Sequence, residues 1–243
     1  MPNERTSNEI SHAHAVREMF SGIAGRYDLL NHLLSANIDK RWRRRVSDKL
    51  RVVLDRPDAV VLDVACGTGD LSLELARNSK AAIIGSDFCR PMISIAKEKT
   101  VKSGSSIAYV EGDAMNLGFA DSCADAVTIA FGLRNLSNVR DGLSELFRVL
   151  RPGGKLAILE FSSPVIPGFR QLFNFYFARV LPRIGGAISG SRRAYDYLPD
   201  SVKRFPDQKQ LVSMLQDSGF CNVEYENFTG GIAALHTASR GDR

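Results

Sequence analysis

Apolar runs alternate with helical segments across the middle of the chain, and this alternation constrains the fold more than any other feature. The apolar runs predict strands at 60–65, 82–87, 107–113, 125–132 and 155–161. Helical spacing lies between them at 71–78, 91–99 and 139–150. Continuous apolar runs are typical of strands buried on both faces of a parallel sheet. The sequence therefore predicts an α/β fold with a doubly wound sheet and right-handed crossovers.

The N-terminal quarter has a different texture. Residues 1–10 are predicted to form a flexible tail, and residues 11–56 a helical segment. Ser11 is expected to cap its first helix, and a second helical stretch is expected over 28–35.

Beyond this quarter we distinguish three further segments. Residues 57–161 hold the alternating strands and helices of the predicted core. The alternation lapses over 162–206, which is rich in aromatic and basic residues. Residues 207–243 supply one helix and a strand pair that complete the sheet.

Composition excludes several classes of protein. The chain has 243 residues, of which 44% are hydrophobic and 24% charged, as expected for a globular protein with a sizeable core. It contains no apolar run near the roughly 20 residues that cross a bilayer, and its polar N-terminus lacks a secretory signal. The four cysteines show no CxxC pairing or metal-ligand spacing. We therefore expect a cytoplasmic protein with free thiols and no metal.

The net charge of +5 is unevenly placed. Between Lys40 and Arg56, eight basic residues accompany two acidic ones. Such a stripe fits either contact with anionic lipid or phosphate, or a solvated helix face. Because Trp42 is the only aromatic residue within it, the stripe does not predict a nucleic-acid platform.

A glycine loop, DVACGTGDLS (63–72), joins the first strand of the core to its first helix. In parallel sheets ligands bind beyond the carboxyl ends of the strands. Gly67 and Gly69 allow a tight turn and a close approach of backbone to ligand. Dinucleotide sites need a third glycine where this chain has Ser72, so the loop favours another nucleoside ligand.

Acidic residues follow the first three strands of the core. Asp63 lies at the end of the first strand, where its carboxylate suits a cationic ligand such as S-adenosylmethionine. Asp87 ends the second strand and is placed to accept both ribose hydroxyls. Asp113 follows the third strand and suits an adenine amino group, with the amide of Ala114 beside it. Helix capping or turn formation is the alternative role for each acid.

The glycine loop and these acids resemble the cofactor site of class I methyltransferases, and RVLRPGGKLAI (148–158) resembles the turn before their fifth strand. The resemblance covers residues 58–161. It implies a Rossmann-like, seven-stranded, mostly parallel sheet with an antiparallel last strand, and S-adenosyl-L-methionine as cofactor.

Other stretches resemble the ubiquinone/menaquinone biosynthesis C-methyltransferase family. YDLLNHLLSANIDKRW (27–42) is similar to its N-terminal signature, with Leu30 in place of a frequent Met. Asp39 stands where that signature often has His, which favours the menaquinone branch. Further similar stretches occur at 130–135, 148–162, 195–206 and 230–236.

This resemblance implies methyl transfer to a ring carbon of a demethylated quinol. By position, the cofactor contacts of the family fall on Thr68, Asp87, Asp113 and Ala114. The Arg134 guanidinium is expected to stabilise a phenolate oxygen, since it stays protonated at any working pH. A water held by Asn135 and a nearby carboxylate both stay open as the general base. A helix-capping turn with a surface salt bridge is the alternative role for Arg134 and Asn135.

The quinol carries an isoprenoid tail, so an apolar entrance is required. We expect Tyr27, Asn31 and Tyr197 to contact the substrate, and residues 162–206 to form a lid over it with the N-terminal segment. The aromatic residues of this lid also fit simple packing or the face of a homodimer. The basic stripe would then hold the enzyme at the inner face of the membrane.

Four other functions stay open on the sequence. A dual menaquinone/ubiquinone enzyme and a methyltransferase of another small phenol or lipid share the fold. A nucleotide-dependent oxidoreductase is disfavoured by Ser72. A nucleic-acid-binding module leaves the glycine loop unexplained.

Overall fold

The computed structural model describes residues 6–28, 37–77, 79–166 and 192–242, with only the backbone for 192–196. Nearly all of the helical stretch predicted at 28–35 lies outside these residues. So does the larger part of the predicted 162–206 insertion.

Seven strands and eight α-helices are described. The strands are β1 (Val60–Val64), β2 (Ala82–Asp87), β3 (Ile107–Glu111), β4 (Ala124–Ala130), β5 (Leu150–Phe161), β6 (Phe220–Phe228) and β7 (Ala233–Arg240). The helices are α1 (Ser7–Ile23), α2 (Asp39–Lys49), α3 (Arg51–Leu54), α4 (Asp70–Ala76), α5 (Arg90–Ser103), α6 (Val139–Val149), α7 (Arg192–Arg204) and α8 (Gln208–Asp217).

The strands form one sheet in the order β3-β2-β1-β4-β5-β7-β6. Strands β1 to β5 are parallel, whereas β7 pairs antiparallel with both β5 and β6. This arrangement confirms the predicted seven-stranded sheet with an antiparallel last strand. The order reverses between β1 and β4, and such a switch point opens a crevice at the carboxyl ends of the strands.

Apolar side chains cover both faces of the sheet. Leu62 and Val64 of β1 pack in one core cluster with residues of α6 and α8. Val61 packs in a second cluster with residues of α2 and α4 on the opposite face. Helices on both faces confirm the doubly wound architecture.

Two predicted boundaries were wrong. Helix α1 begins at Ser7 because Thr6 and Glu9 form a reciprocal capping box, so Ser11 is not its cap and residues 7–10 are helical rather than tail. Strand β5 begins at Leu150, where hydrogen bonding to β4 already starts, rather than at Lys155.

The four cysteines are free, as predicted. Within the described parts of the chain, no helix combines the length and hydropathy that a bilayer crossing requires.

Candidate functional site

Two recesses meet at the carboxyl ends of β1 and β4. The larger contains about 750 Å³ of empty space, part of it open to solvent, and the smaller about 360 Å³. Ala65 and Phe131, the residues that follow β1 and β4, line both recesses and have φ values of 51° and 57°. Left-handed backbone at non-glycine residues costs energy and concentrates at functional sites.

The glycine loop needs its glycines for conformation and space. Gly67 and Gly69 have φ values of 55° and 81°. A Cβ atom on Gly69 would lie 2.6 Å from the hydroxyl oxygen of Tyr109. The loop therefore packs closely against β3 while its other side faces the recesses.

Asp63, near the end of β1, is hydrogen-bonded to the helix that follows this loop. Its carboxylate accepts hydrogen bonds from the hydroxyls of Ser72 at 2.5 Å and Thr128 at 2.8 Å. Burial raises the pKa of Asp63 to about 6. The side chain lines the smaller recess at the end of β1.

Asp87 lies at the floor of the larger recess. Its carboxylate accepts the backbone N–H groups of Gly67 and Cys89, each at 2.8 Å. Burial raises the pKa of Asp87 to about 6. Each carboxylate oxygen has a second acceptor position, so both can still receive a ribose hydroxyl.

Asp113 and Ala114 line the same recess beyond β3. Asp113 accepts the N–H of Met115 at 2.9 Å. Apolar residues from several elements also line this recess. They include Phe20, Phe88, Met92, Met115 and Leu136.

Thr68 belongs to the smaller recess instead. Its hydroxyl donates to Asp28, which also pairs with Lys99 at 2.8 Å. Lys99 in turn binds Asp70, the first residue of α4. Thr68 thus connects the loop to the N-terminal segment.

Arg134 and Asn135 occupy a 3-10 turn (Leu133–Asn135) after β4. Nη1 of Arg134 donates to Oε1 of Glu160 at 2.8 Å and to the carbonyl of Phe131. The backbone N–H of Arg134 donates to Oε2 of Glu160 at 3.2 Å. Burial raises the pKa of Glu160, and the Arg134 charge partly opposes that rise.

Polar atoms around this turn lack partners. Nε of Arg134, Oδ1 of Asn135 and the hydroxyl of Tyr197 are buried without a hydrogen bond within the described chain. Burial raises the pKa of Tyr197, and the charge of Arg134 partly opposes that rise. Helix α7, which carries Tyr197, packs against this turn. Unsatisfied buried polar groups are uncommon in native proteins and point to a missing polar partner.

Helix α1 closes one side of the larger recess. Phe20 and Tyr27 line this recess, and their rings meet edge to face with centroids 5.8 Å apart. The ring of Tyr27 also lies beside Gly67 and lines the smaller recess. His12 Nε2 lies 3.3 Å from the carbonyl oxygen of Asn135.

Most basic side chains of the 40–56 stripe form ion pairs within the fold. Arg45 pairs with Glu226 at 3.0 Å, and Arg56 with Asp58 at 2.8 Å. Lys40 and Arg41 are exposed and have no ion pair among the residues that the structure describes. The free positive face is therefore smaller than the sequence suggested.

The structure brings most of the predicted site residues to these two recesses and to the turn behind them. Gly69 supports the loop without lining either recess, and Asn31 lies outside the described residues. Sequence reasoning missed Phe131 and gave Arg43 no place in the site, although Arg43 lines the smaller recess. The four-residue spacing of Asp39 and Arg43 signalled an ion pair on one helix face.

Known proteins share this architecture. The profile of the ubiE/COQ5 methyltransferase family matches residues 7–240. A demethylmenaquinone methyltransferase of Thermus thermophilus is 48% identical over 223 residues, which are 91% of this chain and 100% of that relative. A ubiquinone/menaquinone biosynthesis C-methyltransferase of Geobacter sulfurreducens is 43% identical over 230 residues, 93% and 88% of the two chains.

Solved structures agree at the level of fold. An S-adenosylmethionine-dependent methyltransferase of Thermotoga maritima superposes with a TM-score of 0.65 at 15% identity, over 93% of this chain and 99% of the other. A phosphoethanolamine N-methyltransferase of Haemonchus contortus, solved with S-adenosylmethionine, gives 0.56 at 15% identity, over 80% and 52%. The sequence match over residues 7–240 shows, in agreement with the fold, that the chain belongs to the ubiE/COQ5 methyltransferase family.

Proposed function

We propose that the chain transfers a methyl group from S-adenosylmethionine to a ring carbon of demethylmenaquinol. The observation that carries this proposal is the meeting of two features at one switch point. Strand-end acids suited to a nucleoside line the larger recess, and buried unpaired polar atoms surround the turn after β4. The relative with 48% identity is named for this substrate.

The cofactor fits the residues present. Asp87 would accept the ribose hydroxyls, while Asp113 and the amide of Ala114 would recognise the adenine. Gly67 lets the loop backbone approach the ligand, and Thr68 and Gly69 hold the loop in place. S-adenosylmethionine, when bound, supplies an electrophilic methyl group on a sulfonium.

The buried polar atoms fit a hydroquinone. Nε of Arg134 and the hydroxyl of Tyr197 would donate to a quinol oxygen, and Oδ1 of Asn135 would accept from a hydroxyl or a water. Arg134 remains charged, so its part is to stabilise negative charge on that oxygen. Glu160 holds the other edge of the guanidinium, which keeps Nε oriented.

We further propose an apolar path for the isoprenoid tail along the Phe20 side of the larger recess. Tyr27 and Asn31 would contact the ring side of the substrate, and the 162–206 segment would cover it. Within the basic stripe, Lys40 and Arg41 are the exposed cations without an ion pair in the described chain, and they would hold the protein at the inner, anionic face of a membrane.

Label transfer tests the reaction. Purified protein is incubated with methyl-labelled S-adenosylmethionine and demethylmenaquinol kept reduced, beside the demethylated ubiquinone precursor and a sample without reductant. We expect label in the reduced naphthoquinol. Label in both quinols supports the dual enzyme instead. Label in neither, while S-adenosylhomocysteine still binds, would contradict the quinone substrate and leave the methyltransferase.

A further inference from the structure

Arg43 is the one residue of the basic stripe that turns into the site. Only 8% of its side chain is exposed, whereas Arg41, Arg44 and Arg45 of the same helix face solvent. Its Nη1 atom lies 2.5 Å from Asp39 and 3.2 Å from Asp70. The side chain lines the smaller recess beside Asp63 and Thr68.

Both ion pairs of Arg43 use the same nitrogen. A guanidinium has five N–H donors in a planar fork. Within the described chain, Nε and Nη2 of Arg43 have no hydrogen-bond partner, and neither is among the fully buried unpartnered atoms. These two donors are therefore not fully buried, and they can donate to an acceptor.

The smaller recess presents both signs of charge. The Arg43 guanidinium stands at its wall together with the carboxylates of Asp63 and Asp70. Burial raises the pKa of Asp63, and a cation beside it would stabilise the ionised carboxylate. A zwitterionic α-amino acid needs this pairing, because its carboxylate seeks a donor fork and its ammonium seeks carboxylates.

The two recesses adjoin each other. Their shared wall consists of five residues, Tyr27, Ala65, Gly67, Ala130 and Phe131. One ligand can thus place a nucleoside beside Asp87 and an amino-acid end beside Arg43.

We infer that Arg43 binds the carboxylate of the methionyl end of S-adenosylmethionine, with Asp63 and Asp70 facing the ammonium. The inference rests on the proposed function, because it assigns the second half of the same ligand. It gives Arg43 a part in cofactor binding and removes it from any membrane-facing surface.

Truncated ligands test the inference without a change to the protein. Isothermal titration calorimetry would compare S-adenosylhomocysteine with its decarboxylated analogue, which keeps the amine and lacks only the carboxylate. One lost charge-assisted hydrogen-bond pair predicts about tenfold to a hundredfold weaker binding of the analogue. Equal affinity for the two ligands would overturn the role of Arg43.

A variant locates the effect. Arg43→Gln combined with Asp39→Asn keeps the local charge balance and should bind both ligands with nearly equal affinity. The variant should bind 5′-methylthioadenosine, which lacks the whole amino-acid end, with an affinity within about threefold of the wild type. A difference of that size is close to the scatter of about 0.5 kcal/mol expected between independent sites. Equal weakening toward all three ligands would mean that Arg43 only supports the fold.

Arg45→Gln is the matched control, because Arg45 lies on the same helix but pairs with Glu226 at the surface. It should leave all three affinities unchanged. Failure of wild-type protein to bind S-adenosylhomocysteine would reject the proposed function itself. Binding without a preference for the carboxylate would reject the inference about Arg43 alone.

Discussion

Nη1 of Arg134 lies 2.8 Å from Oε1 of Glu160, and this buried ion pair joins the turn after β4 to the end of β5. The exposed fractions of the two side chains are 6% and 2%. Water does not screen such a pair, so each charge depends on the other. The pair therefore fixes the turn after β4 relative to the end of β5.

Glu160→Gln should destabilise the protein and slow turnover. The substitution leaves a buried guanidinium without its counter-charge, which costs about 3 kcal/mol in the free energy of unfolding. Urea denaturation measures this cost, and steady-state kinetics at saturating cofactor measures kcat. Asp217→Asn is the control, because it breaks the exposed pair with Arg140 and should cost less than about 1 kcal/mol. Similar costs for the two variants would show that the buried pair carries no special weight.

Asp87→Ala and Arg134→Ala should affect different steps. Loss of the Asp87 carboxylate should weaken S-adenosylhomocysteine binding at least tenfold, because two ribose hydroxyls lose their acceptor. Arg134→Ala should keep that affinity within about threefold and lower kcat by about a hundredfold to a thousandfold. Calorimetry and single-turnover label transfer separate the two effects. Equal loss of cofactor affinity in both variants is the result that contradicts the assigned roles.

The buried Asp63 should make stability depend on pH. Its pKa is about 6 in the folded protein, against an ordinary value of 3.8, so the folded state binds more protons than the unfolded state between these values. The contribution of Asp63 to the free energy of unfolding therefore falls as pH rises from about 4 to about 6.

Asp63→Asn should remove this contribution. At pH 7 the variant should be more stable than the wild type by about 1 to 3 kcal/mol, and at pH 4 the difference should vanish. It should also bind S-adenosylmethionine less tightly, because the ammonium loses a carboxylate. Urea denaturation at both pH values tests this, with Asp217→Asn as an exposed control. A stability difference that does not change with pH would show that Asp63 is not the titrating group.

Membrane contact through Lys40 and Arg41 should weaken when these two charges are neutralised. The double variant Lys40→Gln/Arg41→Gln should bind anionic vesicles about fivefold more weakly for each charge removed. Arg45→Gln should have a smaller effect, because Glu226 already pairs with that charge. Sedimentation with vesicles of increasing anionic lipid content measures the difference. Equal binding by the double variant and wild type would exclude this surface.

The sequence was sufficient for the centre of the sheet because β1 and β4 are buried on both faces. The run VVLDV in β1 contains no polar residue apart from Asp63. The capping box of Thr6 and Glu9 was also visible as a T-x-x-E pattern, so the true start of α1 was predictable.

The features of the site that were not predicted depend on contacts between segments that are distant in sequence. Ala65 and Phe131 have left-handed backbone, and because neither residue is glycine, the sequence gives no signal of this conformation. Asp70 lies far from Arg43 in sequence, so the inward turn of that arginine was not predictable from the stripe. Likewise, Arg134 was a predicted site residue, but its pairing with Glu160 follows from the adjacency of β4 and β5.

Strand β7 has a consequence for how the chain is made. Strand β5, which carries Glu160, lies between β4 and β7, and residue Ala234 pairs with Glu160. On the ribosome, the apolar β5 therefore remains an open edge until residues 233–240 have emerged, and open edges invite aggregation. A nonsense mutation before codon 233 should thus yield a truncated chain that still contains the glycine loop. We expect chaperones and proteases to remove this truncated chain.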